Sequence, residues 1–318
     1  MELGIHGVNS LATHTPGHTA HLARLAEDLG YWSWWAGDHV VLPSPRPPGA
    51  PMAPDDPIVD PLVHLAYVAA LTTRLELGTG VVILPQRNPL VLAKQAASLD
   101  VLSGGRLLLG VGAGFLEPEM RAVGVAMTER GARTDEYLAA MHALWATPAP
   151  AYHGRYVTFE GVDAHPRPLR PGGPRVVIGG SSPAAYRRAI AHGHGWYGNG
   201  QSPGDLARHL EGLHRAAGET QRPAWLGRLE ISFLPLAPEV DPDTARQYAD
   251  LGADRLVLYR CTDIADAMSR WVRHQVHRTG LHPGAGTGSR SLATSHGVAA
   301  ARIPVGVGEV IVLPSAWH

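Results

Sequence analysis

The chain has 318 residues, 45% of them hydrophobic and 17% charged, which excludes a wholly disordered chain and suits a globular fold with a large core. Its formal net charge is −1 and no basic block is present, so the electrostatic footprint of a nucleic-acid binder is missing. Cys261 is the single cysteine, which excludes intrachain disulfides and multi-cysteine zinc sites, and no metal site is expected.

Read from the N-terminus, MELGIHGV carries Glu2 and no long apolar run, so it is not a signal peptide. Short strand-like runs then alternate with longer helical ones. Strands are predicted over 3–8, 31–39, 75–84, 106–114, 174–180, 195–200, 226–235 and 254–259. Helices are predicted over 18–30, 61–73, 89–105, 129–146, 182–193, 202–218, 242–252 and 263–275. The strands are continuously apolar rather than alternating, as in a parallel sheet covered on both faces. Eight strand-then-helix units over about 275 residues match the size of a (β/α)8 TIM barrel. A doubly wound sheet has the same local pattern, because counting units does not close a barrel.

Between the fourth helix and the fifth strand, 151–173 reads as a small β-hairpin and a Pro-rich connector, a short insertion able to cover a site. From 276 to 318 the composition turns to Gly, Ala, Ser and Thr without a helical period. A barrel domain over 1–275 and an atypical, disordered tail are therefore expected. The apolar run 303–314 is short and contains Glu309, so no membrane span is predicted and a soluble cytoplasmic protein is expected.

The segment LELGTGVVILPQRNP (75–89) raises a question. Gly78 and Gly80 lie inside a strand, where glycine marks a bulge or the close approach of another group. Asn88-Pro89 then opens a helix, with Asn as cap and Pro at the first position. In a barrel, chemistry sits at the C-terminal strand ends. Those ends read Gly37-Asp38-His39, Gly78-Thr79-Gly80, Gly112-Ala113-Gly114, Gly179-Gly180-Ser181-Ser182 and Gly198-Asn199-Gly200. Short connections need glycine anyway, but its recurrence at four strand ends points to a large flat ligand.

Asp38-His39 is an acid–imidazole pair at a strand end, suited to proton transfer. Neighbours on a strand point to opposite faces, however, so one of the two can be structural. GVGAG (110–114) resembles part of a dinucleotide fingerprint, but it is G-x-G-x-G at the fourth strand, and the next helix begins late, after Glu117-Pro118-Glu119. GGSSP (179–183) before a helix suits phosphate, and equally suits plain capping by Ser181 or Ser182. TDEY (134–137) reads as a helix start capped by Thr134. Trp32, Trp34 and Trp35 read as core and barrel wall.

Taken in order, WAGDHV, LGTGVVILPQRNPLVLAKQAASLDVLSGGRLLLGVGAG, ERGARTDEYLAAMHALW and VVIGGSSPAAYRRAIAHGHGW resemble the luciferase-like monooxygenase superfamily, and within it the oxidoreductases that use the deazaflavin coenzyme F420. The resemblance covers roughly 1–275. It implies a luciferase-like (β/α)8 barrel, a homodimer, and a deazaflavin or, as the alternative, FMN at the strand C-termini. The reaction implied is hydride transfer to or from a small organic substrate; an FMN-dependent monooxygenase and a non-catalytic flavin-binding homologue are the other readings. Position by position, Asp38 and His39 match the family's acid–His pair beside the ring. Thr79, Gly80 and Val81 match a bulge whose non-proline cis peptide supports the ring, Gly112, Ala113 and Gly114 a segment near it, and Gly179, Gly180, Ser181 and Ser182 the phosphate loop. Two departures stand out. F420-dependent sugar-phosphate dehydrogenases carry a glutamate where this chain has Phe115, and relatives commonly carry an acidic residue where it has His194.

Overall fold

The computed structural model describes residues 1–237 and 240–259. Cys261, the helix expected over 263–275 and the tail 276–318 lie outside the described residues. The strands are β1 (Glu2–His6), β2 (Ser33–Ala36), β3 (Glu76–Thr79), β4 (Val82–Ile83), β5 (Leu107–Gly112), β6 (Tyr152–His153), β7 (Thr158–Phe159), β8 (Arg175–Gly179), β9 (Gly195–Gly200), β10 (Glu230–Pro235) and β11 (Arg255–Tyr259). The helices are α1 (Pro16–Asp28), α2 (Pro61–Leu71), α3 (Pro89–Leu102), α4 (Glu117–Ala122), α5 (Arg130–Ala146), α6 (Pro183–His192), α7 (Pro203–Glu219) and α8 (Pro242–Asp250).

Parallel pairing runs β1–β2–β3–β5–β8–β9–β10–β11, and β11 returns to β1 through the register Glu2↔Arg255 to His6↔Tyr259. A doubly wound sheet would end in two free edges; this one closes, and the fold is a TIM barrel of eight parallel strands among the described residues. The expected 75–84 strand is split: β4 continues the line of β3 and pairs with β5, Val82 opposite Val111. The insertion forms the antiparallel hairpin β6–β7, clamped to α5 where Glu136 accepts from the N–H groups of Arg155, Tyr156 and Val157.

Five helices start by one chemical rule. Asp60, Asn88, Ser182, Ser202 and Asp241 each accept N–H groups of the first turn, and a proline follows at the next position, where its missing donor costs nothing. α5 departs from the expectation for TDEY. It begins at Arg130, so Thr134 lies inside it and donates back to Arg130 O at 2.7 Å. Asp135 instead pairs with Arg188 of α6. The segment after GVGAG also differs: a short helix, α4, already starts at Glu117.

Strand side chains alternate between two cores. Ile5, Trp34, Leu77, Leu107, Leu109, Val176, Ile178, Trp196, Phe233 and Leu256 pack against the helices, whereas Trp35, Leu108, Val177, Tyr197, Leu234 and Val257 fill the barrel interior. Trp32, expected in the wall, is 43% exposed. Below the inner layer, at the N-terminal end, partly buried charges pair around the buried Arg255. Glu76 meets Arg255 and Arg175, Arg255 also holds Glu2, and Arg175 also holds Glu230. Burial pushes the Glu76 carboxyl above its ordinary range against the pull of the two arginines. Gly78 is explained one layer up: a Cβ there would lie 2.4 Å from the ring carbons of Trp35, which is fully buried.

Candidate active site

The opposite end of the barrel gathers the strand-end glycines. The Gly80–Val81 peptide is cis, as the resemblance implies. A Cβ on Gly80 would lie 2.9 Å from His6 Nδ1 and 3.4 Å from the Tyr197 hydroxyl. Val81 projects towards β5 and β8, where a Cβ on Gly112 would come within 2.7 Å of one of its methyl groups and a Cβ on Gly179 within 2.8 Å of the other. The recurring glycines therefore have a nearer cause than a ligand. Gly112 and Gly179 admit Val81, Gly80 admits the His6 ring, and the bulge is locked into the mouth. Thr79 is fully buried, and its hydroxyl donates to Gly110 O at 2.6 Å, tying β3 to β5. Ala113 and Gly114 are half-buried at the end of β5, and Gly114, at φ 77°, sits against Ile83 and Met120.

Asp38 and His39 do not bond each other. Asp38 is buried and accepts from Ile83 N at 3.0 Å and from Arg87 at 2.7 Å, while Arg87 also reaches Asp60. Burial raises the Asp38 carboxyl above its ordinary range; Arg87 and the Ile83 N–H pull it back. This carboxylate anchors the turn that follows the bulge. The acid that meets His39 is Glu119, whose Oε2 lies 3.0 Å from His39 Nδ1 while its Oε1 accepts from Val40 N at 2.8 Å. The Glu119 side chain has 0% exposure and the His39 side chain 12%.

The sequence carried a signal for Glu119. Leu116, Glu119, Met120 and Val123 form the apolar stripe of a short helix, and a carboxylate inside such a stripe is rarely buried without a partner. Ile83, Met120 and Val125 pack as a separate small cluster, so α4 is held across the mouth by apolar contacts on one side and by Glu119 on the other.

His6 is a second group that sequence reading missed. It ends β1, its Nδ1 lies 3.1 Å from the Tyr197 hydroxyl, and its ring centroid is 5.7 Å from that of Tyr259. Burial holds the Tyr197 phenol far above its ordinary range, so it stays a neutral hydrogen-bonding group. Across the mouth, Gly179 is buried while Gly180, Ser181 and Ser182 are exposed. Gly180 has φ 122°, a backbone region that favours glycine. Ser182 caps α6 through Ala185 N at 3.2 Å, and Ser181 stands beside the helix N-terminus, where N–H groups and the helix dipole favour an anion. His194, which stands at the departure noted above, is a buried structural group that accepts from Val176 N at 3.1 Å. Among the described residues, no group of three or more His, Cys, Asp and Glu is placed to hold a metal ion, and no helix is long and apolar enough to cross a membrane.

Comparison with known proteins agrees with this layout. An uncharacterised protein of Mycobacterium tuberculosis is 30% identical over 266 residues, covering 80% of this chain and 90% of its own. An F420-dependent glucose-6-phosphate dehydrogenase of Kineococcus radiotolerans is 34% identical over 183 residues, covering 56% of this chain and 52% of its own. The crystal structure of the monooxygenase RslO1 from Streptomyces bottropensis superposes with a TM-score of 0.68 at 23% identity, over 88% of this chain and 98% of that one. Residues 3–283 match the luciferase-like monooxygenase family, and the chain belongs to that family.

Proposed function

We propose that the chain is an F420-dependent oxidoreductase acting on a small organic molecule as a cytoplasmic homodimer. The observation that carries this reading is the convergence, on one barrel mouth, of the bulge at Gly80–Val81, the half-buried His39 and the exposed Gly180–Ser182 loop at the α6 N-terminus. A flat ring and an anionic tail fit that set. The bulge is a wall whose side chain is tucked away between Gly112 and Gly179, and Ser181, Ser182 and the first N–H groups of α6 suit a phosphate.

In this reading Val81 and its peptide back the ring, and Thr79 braces them from behind through Gly110. Asp38 fixes the turn after the bulge through Ile83 N and Arg87. His39 holds or accepts the substrate's proton at Nε2. The deazaflavin, when bound, supplies a carbon that carries the hydride. Phe115 is 61% exposed at the position where sugar-phosphate dehydrogenases of this type carry a glutamate, so a sugar phosphate is not the substrate we assign.

The monooxygenase named above, with 98% of its chain superposed, favours a second reading, an FMN-dependent monooxygenase. Titration of the purified protein with F420 and with FMN, followed by fluorescence and melting temperature, separates the two. We expect F420 to bind and raise the melting temperature while FMN does neither. The reverse result would establish the second reading, and no response to either would leave a non-catalytic homologue.

A further inference from the structure

We propose that Glu119 is the positioning residue of His39, fixing its ring as the Nδ1–H tautomer so that Nε2 is the nitrogen presented to the mouth. Its link to turnover rests on the reading above; its effect on the ring does not. The argument is one of hydrogen-bond capacity. An ionised carboxylate only accepts, and a backbone N–H only donates. Glu119 Oε1 takes the Val40 N–H at 2.8 Å, and Oε2 faces His39 Nδ1 at 3.0 Å, so Nδ1 must carry the proton. Nε2 lies across the ring from this buried carboxylate and has no hydrogen-bond partner among the described residues.

The other charges nearby are spent elsewhere. Asp38, the sequence neighbour, is held by Arg87 and Ile83 N, and Asp60 shares Arg87.

A carboxylate serving only as a pin between α4 and Val40 would leave the His39 tautomer indifferent, and Glu119→Gln distinguishes the two roles. Glutamine has one acceptor and one donor end. Its oxygen must stay with the Val40 N–H, so its NH2 turns to Nδ1 and forces Nδ1 to accept, moving the ring proton to Nε2. The experiment is long-range 1H–15N correlation on full-length, 15N-histidine-labelled protein at pH 8 without cofactor, with His39→Asn identifying the His39 signals.

The expected result is Nδ1–H in the wild type and Nε2–H in Glu119→Gln. An Nε2–H ring in the wild type, or the same tautomer in both, would overturn the proposal, and the wild-type spectrum alone decides it should the variant not fold. In F420-supported turnover, Glu119→Gln is expected to lower kcat at least tenfold with KM and cofactor affinity within twofold. Tautomer inversion supports the proposal even if no cofactor binds, whereas cofactor binding with an unchanged tautomer sinks it while leaving the function standing.

Discussion

The packing of Val81 between two glycines gives a measurable prediction. In Gly179→Ala the new Cβ would lie 2.8 Å from Val81 Cγ1 and 3.3 Å from Cγ2. Carbon pairs settle at about 3.5–4.0 Å, so the side chain must move by roughly 0.7 Å. Gly112 lies on its other flank, facing Val81 Cγ2 without a side chain of its own. The φ of Gly179 lies outside the positive region, hence the penalty is steric rather than conformational. Overpacking of this kind costs about 1–3 kcal/mol. Val81→Ala removes both methyl groups and with them the clash. The double variant is therefore expected to recover at least about 1 kcal/mol relative to the sum of the single changes, because residues in contact couple. Urea unfolding of the four proteins measures this cycle, and cofactor titration of the same set tests the bulge: Gly179→Ala should weaken binding and the double variant should regain part of it. Strict additivity in urea would refute the assignment of Gly179 to Val81. A full coupling energy with unchanged cofactor affinity in every variant would separate the packing from the binding site.

Acid should weaken the fold through two buried histidines. Burial pushes His64 down to about 4 from 6.5, and burial first, then neighbouring arginines, does the same to His194. The unfolded chain binds protons between these limits that the folded chain does not, so their stabilisation is complete above pH 6.5 and is lost as pH falls towards 4. For His64 the 2.5 units between 6.5 and 4 correspond to about 3 kcal/mol at the extreme. Gln at this position can still accept from Trp34 Nε1, which now bonds His64 Nε2 at 3.0 Å. Urea midpoints of wild type and His64→Gln should therefore converge on acidification, and parallel curves would refute the account. Arg87→Gln strips the buried Asp38 of its counter-charge. Breaking a buried pair costs about 3–5 kcal/mol, so a loss of at least about 2 kcal/mol is expected in urea unfolding, with Asp38→Asn/Arg87→Gln less destabilised than Arg87→Gln alone.

The barrel strands were legible because each is continuously apolar and bounded by glycine or proline, and the five capped helices because Asp, Asn or Ser before Pro has one dominant physical meaning. The closure of the sheet was not legible, since pairing of β1 with β11 joins residues about as far apart as the described chain allows. The glycines were visible, but their cause was not. Gly78 faces Trp35 from the neighbouring strand, and Gly112 and Gly179 face Val81 across sequence gaps that no local pattern encodes. For the candidate site, the strand-end segments fell on one mouth as expected, whereas the partner of His39 did not follow sequence adjacency. Asp38 and His39 lie in the loop after β2, where Asp38 is taken by Arg87 and Ile83 N, and the carboxylate beside the imidazole comes from α4.

The two ends of the barrel explain why a site would form at one of them. At the N-terminal end three carboxylates, Glu2, Glu76 and Glu230, share two arginines, Arg175 and the buried Arg255. Admitting a ligand there would strip a partner from a buried ion, at a cost of several kcal/mol. At the other end the inward positions are His6, Gly80, Gly110, Gly112 and Gly179, with Tyr197 just below. Four of those five positions carry no side chain, and the gaps they leave admit Val81 beside Gly112 and Gly179 and the His6 ring beside Gly80. The strands that pair all of this backbone also leave the rim loops free to differ: α4 supplies Glu119 and the β2 loop supplies His39. The cofactor proposed above would meet, at this mouth, mainly glycine backbone and the Gly80–Val81 bulge.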